Sequence, residues 1–96
     1  MTNKEANYKL IDFIASRQER IDAAIIHAED DRFVIGNKYD FCIKVLEDNY
    51  AEIKGAVSFA YDAGLIDDDT FEEFTDHISI DMRSDRRKAS RYLGAD

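Results

Sequence analysis

Apolar residues recur along this chain at alternating spacings of three and four, the period of one face of an α-helix, in three separate stretches. In the first, Ile11, Ile14, Ile21, Ile25 and Ala28 keep the period and only Gln18 interrupts it, which predicts a helix over about 3–29. Thr2-Asn3-Lys4-Glu5 ahead of it has the capping-box form, and Glu5 and Lys9 make a favourable i,i+4 pair. The second stretch is the most regular: Tyr39, Ile43, Leu46, Tyr50, Ile53, Val57 and Ala60 predict a helix over about 38–63. Cys42, Val45, Ala56, Phe59 and Ala63 widen its apolar stripe to one side, as expected of a central helix that touches two neighbours. The third, over about 67–93, carries Phe71, Phe74, Ile78, Met82, Ala89 and Tyr92 on one face.

The joints between these stretches carry their own signals. Gly36-Asn37 is a turn in which Asn37 serves as a helix N-cap, and Phe33, Val34 and Ile35 before it are expected to cover one end of a bundle. Gly64-Leu65 reads as a left-handed helix stop. Asp67 then caps the third helix, with Ile66 and Phe71 as a hydrophobic staple, and Gly94 ends it. With no proline and only four glycines, the chain lacks the punctuation of a many-stranded sheet. The expected fold is all-α, a three-helix up-down-up bundle of long amphipathic helices forming one domain over residues 1–96.

Composition narrows the classes of function. Apolar content of 45% is enough for a packed core, and no apolar run is long enough for a signal peptide or membrane span. The lone Cys42 has no disulfide partner, which fits a reducing, cytoplasmic setting. The net charge of -8 argues against direct contact with a nucleic-acid backbone and for a basic partner. That charge is uneven, -10 over residues 1–78 and +2 over residues 79–96.

Catalytic chemistry finds little foothold. Glu73 and His77 stand at i,i+4, a spacing that suits two metal ligands, but no second pair accompanies them, so no metal or cofactor is expected. A calcium loop counted from Asp67 has Glu72 where its glycine belongs and Ile78 where its bidentate glutamate belongs. His27 reads as a complement to the first helix dipole and Cys42 as a small core residue. Tyr39, Tyr50 and Tyr61, eleven residues apart, read as boundary residues with buried rings and wet hydroxyls, or as a tyrosine-lined contact. No glycine-rich phosphate loop or Ser/His/Asp arrangement assembles, and the chain is expected not to be an enzyme.

What stands out is acidity. Residues 55–82 hold Asp62, Asp67, Asp68, Asp69, Glu72, Glu73, Asp76 and Asp81 and no lysine or arginine. Acids in the first turn of a helix and bases in its last complement the dipole, which accounts for Asp67 to Asp69 and for Arg83, Arg86, Arg87, Lys88 and Arg91. It leaves Asp69/Glu73 and Glu72/Asp76, like-charge i,i+4 pairs that cost the helix a few tenths of a kcal/mol. Arg86-Arg87-Lys88-Ala89-Ser90 resembles a short basophilic kinase site.

The expected function is therefore a small acidic helical binding module or inhibitor that occupies a basic surface of a partner, such as one that otherwise holds nucleic acid. Asp62, Asp67, Asp68, Asp69, Glu72, Glu73 and Asp76 are its candidate contacts. In size and charge the chain is similar to small acidic proteins of phages and mobile elements, anti-CRISPR inhibitors among them, without a diagnostic residue. The alternative is a structural or regulatory homodimeric subunit, with Phe59 and Phe41 as dimer or partner contacts.

Overall fold

A computed structural model describes residues 3–30 and 36–93; the Thr2 capping box, Phe33 to Ile35 and the Gly94 stop lie outside the described residues. Among the described residues there are three α-helices, α1 (Asn3–Glu29), α2 (Lys38–Asp62) and α3 (Asp68–Ala89), and the chain tightens into a short 3₁₀ turn at Ser90–Tyr92. Asn37 caps α2 by accepting a hydrogen bond from the Asp40 amide at 2.9 Å. At the far end of α2, Gly64 takes a positive φ of 73°. The Leu65 amide then reaches back to the Ala60 carbonyl (2.8 Å) and the Gly64 amide to that of Tyr61 (3.0 Å), the paired bonds of a Schellman stop. Two residues later Asp67 caps α3, accepting from the Thr70 amide at 2.8 Å. The joint between α2 and α3 is thus closed by local backbone chemistry before any packing is counted.

The helices run up, down and up. Cys42 meets Ala24, Tyr50 meets Gln18 and Glu52 meets Arg17, so α2 runs antiparallel to α1. Gln18 with Asp85 and Ile25 with Tyr92 show that α1 and α3 run in the same direction. The molecule is a rod of 47 × 18 × 15 Å. Its axis is α2, which packs extensively on both neighbours and buries Cys42, Leu46, Tyr50, Ile53, Val57 and Ala60. Burial of a side chain the size of Leu46 or Ile53, neither with any exposed surface, contributes about 1.5–3 kcal/mol. None of the helices is long and apolar enough to cross a membrane, among the described residues.

Two stripes sit differently from the sequence expectation. On α1 the core face is Ala6, Leu10, Ile21, Ala24, Ile25 and Ala28, whereas Ile11 is 52% exposed. The period through Ile11 and Ile14 lies to one side of the line that meets α2, and only tertiary contact decides which of two adjacent apolar lines is buried. On α2 the stripe is narrower than expected: Phe59 is 70% exposed and Ala63 is exposed, while Phe41, Val45 and Ala56 are half-buried. Tyr50 is no boundary residue either; it is 2% exposed, while Tyr39 is half-buried and Tyr61 lies at the surface.

Candidate functional site

The two outer helices are joined at one end and parted at the other. Toward their C-terminal ends, Tyr92 fills the space beside Ile25, and the Arg91 guanidinium pairs with the Glu29 carboxylate. In mid-molecule the buried Asp85 carboxylate accepts from the Tyr50 hydroxyl (2.7 Å) and the Gln18 amide (2.8 Å), tying all three helices at one oxygen. The Lys88 ammonium stands 3.8 Å from its other oxygen. Burial, then the hydrogen bond and the charge of Asp85, push the Tyr50 phenol well above its ordinary value.

Toward the N-terminal ends, α1 and α3 separate and leave a groove of about 530 Å³. Its α1 wall is Asn7, Ile11, Ile14, Ala15 and Gln18; its α3 wall is Thr70, Glu73, Phe74, His77 and Asp81. Eleven residue steps on each wall make it roughly 16 Å long at the α-helical rise. The Asn7 side-chain oxygen is buried there and has no hydrogen-bond partner among the described residues.

The acidic tract divides by what each carboxylate already does. Asp67 is committed to its cap, and the bond from Thr70 holds its carboxyl below the usual range. Asp68 accepts from the Tyr61 hydroxyl at 2.6 Å, which pushes that phenol upward, and the Tyr61 ring stacks on Phe71 at 4.3 Å. Asp62 is exposed at the end of α2. Asp69, Glu72, Glu73 and Asp76 are exposed on α3, and no hydrogen bond or ion pair engages their carboxylates among the described residues. Glu73 is the member of the tract that lines the groove. His77 lines it too, and no group of three or more His, Cys, Asp and Glu is placed to hold a metal ion among the described residues. Phe59 and Phe41 are not on the groove walls: Phe59 stands out from α2, and Phe41 packs against the core.

Cys42 is buried, donates to the Ala24 carbonyl at 3.9 Å, and has its thiol pushed upward by that burial. The Arg86–Ser90 run is held in helix, the Ser90 hydroxyl donating to the Arg87 carbonyl at 2.7 Å.

The three-helix tie and the groove were not found by periodicity alone, though both left a trace. Gln18 fills the slot between Ile14 and Ile21, and Asp85 the slot between Met82 and Ala89, so each is a polar residue at an apolar register position. No protein family, curated protein or solved structure matches the chain.

Proposed function

We propose that the protein is a small acidic helical binding module that occupies a basic surface of a partner protein. The observation that carries this reading is the row of exposed carboxylates Asp69, Glu72, Glu73 and Asp76, which no cation of the described chain neutralises. Asp69/Glu73 and Glu72/Asp76 cost α3 a few tenths of a kcal/mol each as like-charge pairs. A cationic partner converts that cost into attraction, steers the encounter and sets its sensitivity to salt. A surface that ordinarily holds nucleic acid is the fitting class of target, because its lysines and arginines are already spaced for an anionic ligand. An inhibitory role then follows from occupancy, in the manner of small acidic phage and mobile-element inhibitors.

The test is capture of the partner from cell extract by the tagged protein, followed by binding of the identified partner to the Glu72→Lys, Glu73→Lys, Asp76→Lys triple variant. The expected result is loss of binding with helicity unchanged, because all three positions are exposed. Retention of the partner by that variant removes this function. A second reading, a homodimeric subunit, rests on Phe59, a large apolar side chain 70% exposed in the last turn of α2.

A further inference from the structure

We infer that the α1–α3 groove is the docking site for a basic amphipathic helix of the partner, its apolar ridge seated on Ile11, Ile14 and Phe74. This rests on the acidic binding role proposed above and names the surface that performs it. Three observations converge. First, the groove has the length of about three helical turns and lies between two helices that run in the same direction, so an occupant helix completes a four-helix arrangement. Second, its floor is apolar and open: Ile11, a large apolar side chain on its α1 wall, stays 52% exposed.

Third, both rims carry a row of carboxylates, with Lys4 as a cation at the N-terminal end of the α1 rim, its ammonium 5.9 Å from the centre of the Tyr8 ring. On α3, Asp69 and Asp76 lie one turn before and after Glu73. On α1, Asp12 and Glu19 lie one turn before and after Ala15, and Asp22 lies a heptad after it, about 20° away around the helix. All six carboxylates are exposed. Such rims repel a second copy of a chain with net charge -8 and repel nucleic acid, while they attract lysine and arginine on the flanks of an apolar ridge. The exposed apolar side chains Tyr8, a heptad before Ala15, and Ile80, a heptad after Glu73, extend the contact onto the rims.

The experiment uses the full chain and a fluorescent peptide of about 15 residues, with leucines at i, i+3, i+4 and i+7 and lysines elsewhere, beside a scrambled peptide of the same composition. The patterned peptide is expected to bind about tenfold or more tighter than the scrambled one. Ala15→Trp, which fills the groove without changing charge, is expected to weaken it by about tenfold at unchanged helicity. Methyl NMR on the unsubstituted protein is expected to place the shifts at Ile11, Ile14 and Ala15, and it decides the matter by itself if the Trp variant loses helicity. Equal, salt-sensitive binding of both peptides, with shifts spread over the outer face of α3, overturns the groove and leaves the acidic role standing. Shifts centred on Phe59 also overturn the groove. No binding of either peptide at low salt overturns both.

Discussion

Tyr50, Gln18 and Asp85 make one polar knot within the core, and the buried Asp85 carboxylate is fully served only when the Tyr50 hydroxyl and the Gln18 amide both donate to it. The Asp85 carboxylate is 3% exposed, so each lost donor leaves an anion less well solvated. Tyr50→Phe is expected to destabilise the fold by about 1–3 kcal/mol, read as a lower urea midpoint at unchanged slope. The same variant tests the phenol. Because the folded state holds the Tyr50 proton to a higher pH than the unfolded chain does, that stability is complete below about pH 10, the ordinary phenol value, and is lost as pH rises beyond it. The stability gap between wild type and Tyr50→Phe should therefore shrink in strong alkali; a gap that stays constant between neutral pH and about pH 11 contradicts the raised phenol. Part of the alkaline loss persists in the variant, since Tyr61 and Tyr92 are also pushed upward, by the Asp68 bond and by burial respectively.

At the scale of elements, the chain is organised by its stops as much as by its stripes. Gly64 stands at φ 73° with open space where a Cβ would go, so a side chain there meets backbone strain and no clash. Gly64→Ala is expected to cost about 1–2 kcal/mol of unfolding free energy. By contrast Gly55, within α2 and with equal space around it, should gain from the same change by about 0.5–1 kcal/mol. A thermal melt of the two variants separates these opposite signs. The core column of α2 is less forgiving: Leu46→Ala, within the core cluster at a position with no exposed surface, should cost about 2–5 kcal/mol.

For the whole molecule, the governing quantity is charge laid along a rod. On a rod of 47 × 18 × 15 Å with net charge -8, the exposed carboxylates Asp69 to Asp76 stand at least ten residues along α3 from Arg86, about 15 Å at the helical rise and beyond a Debye length of about 8 Å, so the two groups act independently at physiological salt. Association with a basic partner is expected to weaken by at least an order of magnitude between low and high salt, mainly through the on-rate; affinity indifferent to salt speaks against the acidic surface. Phe59→Asp separates the dimeric alternative. At 70% exposure the change is expected to leave stability within about 0.5 kcal/mol. A fall in sedimentation coefficient on that substitution, at unchanged helicity, identifies a homodimer seated on Phe59, and an unchanged coefficient removes it.

The chain's local chemistry was enough to determine the helices and their joints, because the signals there act within four residues. The period through Tyr39 to Ala60 defined α2, Asn37 and Asp67 became its caps and those of α3, and Gly64-Leu65 became the Schellman stop. The identity of the acidic residues was equally plain, and so were Gln18 and the exposed-charge pairs of α3 as departures from pattern. Tertiary structure alone decided which flank of each stripe was used. It turned Ile11 toward a groove and Phe59 toward solvent, and it brought Asp85 within 2.7 Å of a tyrosine 35 residues away. It also separated Asp67 and Asp68, absorbed by a cap and a phenol, from Asp69, Glu72, Glu73 and Asp76. Periodicity fixes the angle of a side chain around its own helix, while the partner facing that angle depends on how three helices share one central surface.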